Sequence, residues 1–362
     1  MRDLDKFRGC LIGGAAGDAL GYAVEFMREN RIFARYGEKG ITEYELRDGV
    51  GEISDDTQMT LFTAAGLLNG TTRNRLDGTA KPFAEYIRKN YLDWRRTQVE
   101  GYPLKGGNRC SWLADVPDLF DRRAPGNTCM GALGDGGRGT LDRPVNHSKG
   151  CGGVMRVAPV GLYFNDRGTD VREIARIGAQ AAAITHGHTL GWMPAAALAQ
   201  IVHEVSQDGV GVREATQHAL ETAAEMWPET EDRKYFLELM NGALTLAGQD
   251  GNDLEAIHAL GEGWVAEETL AIAVYCAVKY EDDFERALIA AVNHNGDSDS
   301  TGAVAGNILG AKLGLAGIPE KYKEKLELKD VILETADDLW RDCPENPEDD
   351  PAWLEKYAGT ED

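Results

Sequence analysis

Residues 295–314 read NGDSDSTGAVAGNILGAKLG, and this stretch decides the fold. An Asp-x-Asp pair, Asp297 and Asp299, stands just before a run whose apolar residues have helical spacing. Glycines follow at positions 302, 306, 310 and 314, which share one face of that helix. Each Gly costs about 1 kcal/mol of helix propensity relative to Ala, so the helix must gain from the close approach of another backbone. The stretch therefore predicts a tightly packed helix with two carboxylates at its start.

A second group of oxygen-bearing side chains, Ser54 to Thr57, begins another helix. Helix capping explains one such residue at each site, and close packing explains the glycines, but neither explains the repeated carboxylates. The two clusters together offer Asp55, Asp56, Asp297 and Asp299, which are hard oxygen ligands that suit Mg²⁺ or Mn²⁺ better than Zn²⁺. Four carboxylates brought together would repel, and two divalent cations would neutralise them. The pair of clusters predicts a two-metal site able to activate water.

Two other known motifs share part of the pattern of residues 297–302. An EF-hand loop beginning at Asp297 would need a bidentate Glu at its twelfth position, where this chain has Ile308, so the EF-hand fails. An Asp-x-Asp-x-Thr phosphotransferase loop matches Asp297, Asp299 and Thr301, although no buried strand precedes it. A Mg²⁺-dependent phosphotransferase stays a minor alternative.

Other candidate residues lie before and between the clusters. Asp18 falls within a helix of small apolar residues, which predicts a buried carboxylate acting as a structural hydrogen-bond acceptor. Glu25 lies in an apolar patch and is a candidate general base or gate. The glycines around Cys151 either present N–H groups to a phosphate or shape a turn. His186 either contacts substrate or packs in the interior.

Composition narrows the possible partners. The chain has 362 residues, 60 acidic against 38 basic, and a net charge of −22, which disfavours general nucleic-acid binding and anionic membrane surfaces. Apolar residues make up 43%, too many for a disordered acidic chain. The longest apolar stretch, residues 11–24, is too short for a membrane span and contains Asp18. Acids at the N-terminus and scattered cysteines favour a cytoplasmic protein.

The periodicity of apolar residues favours an all-α fold. It predicts helices near residues 4–22, 57–69, 83–97, 171–185, 189–206, 212–226, 231–248, 265–281, 283–293, 300–315 and 328–340. Ile41–Leu46 has the alternation of a short strand, and Val157–Phe164 fits either type. Residues 1–342 are predicted to form a single domain with a long loop at 101–150. Residues 343–362, rich in acids and prolines, are expected to be a solvated tail.

These segments, taken in order, resemble the ADP-ribosylglycohydrolase family. The resemblance covers nearly the whole chain and is carried by Gly9–Gly21, by Ser54–Met59, by Gly152–Gly161, by Thr185-His186 and by Asn295–Gly302. The two paired-Asp motifs are its specific part. It implies a compact multi-helix domain with a central cleft that holds two Mg²⁺ or Mn²⁺ ions.

The resemblance also implies roles for individual residues. The implied metal ligands are Ser54, Asp55, Asp56, Asp297, Asp299 and Ser300. The implied ADP-ribose site is lined by Gly150, Gly152, Gly153 and His186. Glu25 and Asp299 are the implied catalytic residues, and either of them would serve as the base. Cys151 departs from the family, because many members have Asn at this position, and Ser54 and Ser300 replace the commoner Thr.

The implied activity is hydrolysis of the glycosidic bond between ADP-ribose and an acceptor. The acceptor is an Arg or Ser side chain of a protein, or a small ADP-ribosylated molecule. A non-catalytic member of the same fold that binds ADP-ribose or a partner protein is the alternative. The chain is expected to act as a monomer.

Overall fold

The protein is built from helices in the computed structural model, which describes residues 2–164, 168–206 and 209–359. Its α-helices are α1 (Leu4–Tyr22), α2 (Glu29–Tyr36), α3 (Asp55–Asp77), α4 (Phe83–Val99), α5 (Asn127–Gly134), α6 (Ala158–Tyr163), α7 (Val171–Ala183), α8 (Thr189–Val205), α9 (Val212–Met226), α10 (Glu231–Ala247), α11 (Asp253–Leu260), α12 (Ala266–Lys279), α13 (Phe284–Val292), α14 (Ser298–Leu313), α15 (Lys329–Arg341) and α16 (Pro351–Tyr357). Short 3-10 helices cover Trp112–Asp115, Pro117–Phe120, Cys151–Gly153, Leu315–Gly317, Glu320–Tyr322 and Pro347–Asp349. The predicted all-α class is confirmed.

The predicted helices all form, with ends within about two residues at most termini and an earlier start and later end for α3. The ambiguous segment 157–164 contains α6, a helix. The prediction of a strand at Ile41–Leu46 is wrong. The side chain of Asn293 takes the place of a neighbouring strand there: its Oδ1 accepts the N–H of Ile41 at 2.7 Å, and its Nδ2 donates to the Ile41 carbonyl at 2.9 Å.

Helices α1 and α14 lie antiparallel at the centre of the fold with their backbones in contact. Gly13 of α1 faces Gly306 of α14, and a Cβ built on Gly306 would lie 2.0 Å from the Gly13 carbonyl oxygen. A Cβ built on Gly17 would lie 1.9 Å from the Gly302 carbonyl oxygen. Only glycine permits this approach. The predicted close helix contact is confirmed, and it brings the end of α1 beside the start of α14.

The remaining helices enclose this pair. Residues 298–311 of α14 are all buried, as are residues 9–21 of α1. Helix α3 packs against α4, and α7 against α8, while α12 lies against α14. Among the described residues, no helix is long and apolar enough to cross a bilayer.

The C-terminal segment folds onto the domain as far as residue 359. Trp353 and Tyr357 of α16 are 1% and 0% exposed. The Trp353 indole donates to Thr72 Oγ1 at 2.9 Å, and the Asn69 side chain donates to the Tyr357 carbonyl at 2.8 Å. The expectation of a solvated tail is therefore wrong for residues 343–359. Acids and prolines dominate the composition of this segment. Two of its aromatic residues, spaced four apart, nevertheless form one apolar helix face.

Candidate functional site

Three carboxylates meet where α1 ends and α14 begins. Glu25, Asp297 and Asp299 each bring an oxygen atom within 4.8 Å of the other two, and all three are buried. The antiparallel α1–α14 contact causes this meeting, because it places Glu25, just beyond α1, next to the Asp-x-Asp motif. Residues about 270 positions apart in the sequence thus share one acidic centre.

The first aspartate motif is held by Asp18, whose predicted role as a buried hydrogen-bond acceptor is confirmed. The buried Asp18 carboxylate accepts the N–H of Ser54 on both oxygens, at 2.9 and 3.0 Å, and the N–H of Thr57 at 3.1 Å. The Thr57 hydroxyl donates to the same group. Ser54 itself caps α3, since its Oγ accepts the N–H of Asp56 at 3.2 Å. Capping therefore explains the presence of Ser54, and it does not use the carboxylates of Asp55 and Asp56.

Capping does not account for the second motif. Asp297 is the N-cap residue of α14, but its side chain accepts no capping hydrogen bond. Its backbone N–H donates to the Glu262 carbonyl at 2.9 Å. Asp299 Oδ1 accepts the N–H of Ser300 at 3.0 Å.

Several buried carboxylate oxygens at this centre have no hydrogen-bond partner. They are Oε2 of Glu25, Oδ1 of Asp56 and Oδ2 of Asp297. Burying an unpaired carboxylate costs several kcal/mol in order of magnitude, so native proteins pair such groups or bind a cation to them. The donor set is entirely hard oxygen, which fits Mg²⁺ or Mn²⁺. These residues could therefore hold divalent cations.

The electrostatics agree with the geometry. Burial, followed by the charges of Asp299 and Asp297, raises the pKa of Glu25 to about 10. Burial also raises the pKa of Asp55 to about 8, and it raises that of Asp56 and of Asp297 well above their usual range. The protein alone thus disfavours several charged carboxylates here at neutral pH. A bound cation would reverse that preference.

Part of the long 101–150 segment reaches the first motif. The N–H of Gly126 donates to Asp55 Oδ2 at 3.0 Å, and the N–H of Asp55 donates to the Arg123 carbonyl at 3.0 Å. Gly126 is not among the residues that the sequence predicts for the site. A glycine in a Pro-Gly-Asn stretch gives no sign that its backbone contacts a residue 71 positions away.

The glycine segment lies beside the acids through Cys151. Burial, followed by the charges of Asp297 and Asp56, raises the pKa of the Cys151 thiol well above its usual value. A Cβ on Gly152 would lie 3.0 Å from His186 Cε1, and one on Gly153 would lie 2.6 Å from a backbone oxygen in α8. Close packing thus explains both glycines by itself, and a role in binding phosphate stays a prediction.

His186 lies with these glycines, as the predicted ADP-ribose site requires. It is 2% exposed, and its Nδ1 is hydrogen-bonded with Thr185 Oγ1 at 2.8 Å. The nearest atom to a Cβ on Gly150 would be His186 Nε2, at 3.5 Å. Burial and the nearby Arg156 guanidinium lower the pKa of His186 to about 3. The imidazole is therefore neutral at physiological pH.

An exposed pair of aromatic rings borders the acidic centre. Phe26 and Trp264 stack with ring centroids 6.4 Å apart and planes 20° apart. They help to line a cavity of about 200 Å³ together with Glu25, Met27, Arg28, Glu262 and Gly296. From the sequence, Phe26 is only an apolar neighbour of Glu25, and nothing distinguishes Trp264. The two rings meet only in the folded chain, so no local pattern indicates them.

Comparisons with known proteins find relatives over nearly the whole chain. A family model described as ADP-ribosylglycohydrolase matches residues 1–349. The ADP-ribosylhydrolase ARH3 of Danio rerio is 27% identical over 361 residues, covering 93% of this chain and 90% of the relative. The ADP-ribosyl-[dinitrogen reductase] glycohydrolase of Rhodospirillum rubrum is 27% identical over 328 residues, covering 90% of this chain and 91% of the relative.

A solved structure supports the fold independently. It is described as an ADP-ribosylglycohydrolase-related protein complex and superposes with a TM-score of 0.62 at 23% identity, covering 93% of this chain and 98% of that chain. At this identity the similarity concerns the fold alone.

Proposed function

The chain belongs to the ADP-ribosylglycohydrolase family, and on that premise we propose that it is a metal-dependent hydrolase of ADP-ribosylated substrates. The bond cleaved would join the anomeric carbon of the distal ribose to a protein side chain (Arg or Ser) or to a small molecule. The observation that carries the proposal is the set of unpartnered, buried carboxylate oxygens on Glu25, Asp56 and Asp297. The names of the relatives, which include an ADP-ribosylhydrolase and a glycohydrolase, support the same reaction.

The acidic centre is proposed to hold two divalent cations, Mg²⁺ or Mn²⁺. The proposed ligands are Ser54, Asp55, Asp56, Asp297, Asp299 and Ser300. When bound, such ions would neutralise the carboxylates, hold ribose hydroxyls and lower the pKa of a water molecule. The role of the protein is to fix the ligands, with Asp18 orienting the first motif and the α1–α14 contact positioning the second.

The carboxylates would then act on the substrate directly. Cleavage at an anomeric carbon passes through a transition state with oxocarbenium character, whose positive charge nearby carboxylates stabilise. Glu25 or Asp299 would accept a proton from the attacking water. The oxygen of that water would bond to the anomeric carbon, and the acceptor nitrogen or oxygen would leave with a proton. Glu25 Oε2, which has no hydrogen-bond partner in the protein, is available for this contact.

The ADP-ribose moiety would lie along the glycine segment. Gly150, Gly152 and Gly153 would border it, and the neutral His186 imidazole would offer a hydrogen bond without adding charge. Bound cations beside this segment would favour a pyrophosphate in an otherwise acidic protein. The monomeric state and the cytoplasmic location stay predictions from the sequence.

An activity assay tests the proposal. The protein is incubated with Mg²⁺ and with arginine- or serine-ADP-ribosylated substrates, and released ADP-ribose is quantified. We expect release that EDTA abolishes and that Glu25→Gln or Asp299→Asn lowers by about 100-fold or more, the range for loss of an acid or base. Glu38→Gln, at an exposed position, is the matched control. Bound metal and bound ADP-ribose without any release would instead support the non-catalytic alternative.

A further inference from the structure

The ring pair at the edge of the acidic centre has no role in the reaction described so far. Phe26 is 75% exposed and Trp264 is 41% exposed, which is unusual for large apolar side chains beside a buried site. We propose that Phe26, Trp264 and Glu262 form the acceptor subsite and that it takes a planar cation, the guanidinium group of an arginine. This inference rests on the proposed function and names its substrate class.

The backbone holds this subsite in place next to the acids. The Trp264 carbonyl accepts the N–H of Cys151 at 3.3 Å, in the segment that borders Asp297. The Glu262 carbonyl accepts the N–H of Asp297 at 2.9 Å. Phe26 directly follows Glu25, so both rings are tied by short stretches of backbone to residues of the acidic centre. A group leaving the anomeric carbon there would emerge beside the rings.

An exposed carboxylate in the wall of the cavity favours a cation. It belongs to Glu262, and Arg28 is the one basic residue among the lining residues. Arg28 pairs with Glu262 at 3.5 Å, with the two side chains 72% and 50% exposed. Such exposed pairs contribute little to stability, so an incoming guanidinium can replace Arg28 as the partner of Glu262. A pyrophosphate would meet repulsion at this position.

The shape of the cavity favours a side-chain head group over a nucleoside. Its volume of about 200 Å³ is below the roughly 300–1,000 Å³ of sites for larger ligands. A guanidinium is planar, so it stacks on an aromatic face while its N–H groups donate to a carboxylate. The exposed face of Phe26 and the Glu262 carboxylate offer both contacts. A serine acceptor has neither the plane nor the charge.

Steady-state kinetics with two substrates test the inference. Phe26→Ala, Trp264→Ala and Glu262→Gln are compared on ADP-ribosylarginine and on a serine-ADP-ribosylated peptide, with the inhibition constant of free ADP-ribose measured in parallel. We expect each substitution to lower kcat/KM for the arginine substrate by about tenfold, in line with a desolvated cation–π contact. The inhibition constant of ADP-ribose should stay unchanged. Phe26→Tyr, which keeps an aromatic ring, should retain the kcat/KM of the unsubstituted protein for the arginine substrate.

The controls separate this inference from the proposed function. Trp340→Ala removes another exposed tryptophan, 39% exposed, and should leave both substrates unaffected. Because Phe26 is the more exposed ring, its variant remains informative if Trp264→Ala does not fold. Equal losses on both substrates together with weaker ADP-ribose binding would overturn the inference, since the rings would then hold ADP-ribose.

Two further outcomes are decisive. Hydrolysis of the serine substrate without hydrolysis of the arginine substrate would overturn the acceptor assignment and leave the proposed function intact. If neither substrate is hydrolysed, the proposed cleavage at Arg and Ser side chains fails, and calorimetric binding of the two substrates decides the inference. Tighter binding of ADP-ribosylarginine that Phe26→Ala weakens about tenfold would support it, and equal binding of both would overturn it.

Discussion

The carboxylate of Asp18 receives the backbone N–H of Ser54 on both of its oxygens, at 2.9 and 3.0 Å. Asp18 lies towards the C-terminal end of α1, and Ser54 is the residue that caps α3. Both are fully buried. This contact fixes the first aspartate motif relative to α1, and α1 in turn contacts the second motif through its glycines. A residue outside the proposed ligand set therefore determines where the ligands lie.

Asp18→Ala should weaken metal binding although Asp18 is not a proposed ligand. Removing the carboxylate leaves the N–H groups of Ser54 and Thr57 without their acceptor, so the motif loses its orientation. We expect Mg²⁺ or Mn²⁺ affinity to fall by about 10–100-fold, as with groups that orient metal ligands. Titration calorimetry measures the loss, and Asp337→Asn, at an exposed ion pair, is the control. Full affinity in a folded Asp18→Ala protein would contradict this role.

The metal-free protein should lose stability as pH rises. Burial raises the pKa of Asp55 to about 8 and that of Glu25 to about 10, whereas in the unfolded chain both titrate near about 4. Between the pKa values of the unfolded chain and those of the folded protein, the folded state binds more protons than the unfolded chain. The free energy of unfolding therefore falls as pH rises. This stabilisation is complete below about pH 4 and is lost as pH rises through the folded values.

Thermal unfolding at pH 6 and pH 9 tests the pH dependence. In EDTA, Tm should be lower at pH 9. Mg²⁺ should raise Tm more at pH 9 than at pH 6, because protons compete with the metal for the carboxylates. Asp55→Asn should reduce both differences. If Mg²⁺ raised Tm by the same amount at pH 6 and at pH 9, the carboxyl groups of the metal-free site would not be protonated as proposed.

Gly306→Ala should destabilise the protein strongly. The new Cβ would lie 2.0 Å from the Gly13 carbonyl oxygen and would force α1 and α14 apart. Overpacking of this kind costs about 1–3 kcal/mol or more. The matched control is Gly242→Ala in α10, where no atom lies within 4 Å of the added Cβ. It should stabilise by about 0.5–1 kcal/mol through helix propensity. Urea unfolding midpoints of the two variants should therefore move in opposite directions.

Trp353→Ala should destabilise the whole domain by about 3–5 kcal/mol, the usual cost of deleting a buried aromatic side chain. The indole is buried and donates to the Thr72 hydroxyl in α3, so its loss opens a cavity and removes one hydrogen bond between α16 and α3. Trp340→Ala, at a partly exposed tryptophan, should have a much smaller effect. Tm measurements compare the two, and similar shifts would mean that the C-terminal segment contributes nothing to stability.

The sequence predicts those features whose signal is local. Helical periodicity predicts the positions of the long helices. The spacing of Asp297 and Asp299 predicts two carboxylates at the start of α14, and the spacing of the α14 glycines predicts a close contact with another helix. Asp18 was recognised because a carboxylate among small apolar residues must find donors. The strand predicted at 41–46 failed because a distant side chain, Asn293, satisfies the backbone there.

Features created by tertiary contact gave no such signal. The contact of Gly126 with Asp55 depends on how a long loop returns to α3. The stacking of Phe26 on Trp264 joins residues more than 230 positions apart. Composition also misled for the C-terminal segment, because averaging over many acids hides two well-spaced aromatic residues.

The α1–α14 contact has a consequence for biosynthesis. A chain emerging from the ribosome presents α1 first, yet the helix that covers its glycine face is complete only after residue 313. Until then the small-residue face of α1 has no partner, and Glu25 stands apart from Asp297 and Asp299. Contacts between such distant segments form slowly, because a long loop must close before they can stabilise the chain. The acidic centre is thus a late product of synthesis, and premature termination anywhere before α14 yields a polypeptide without it.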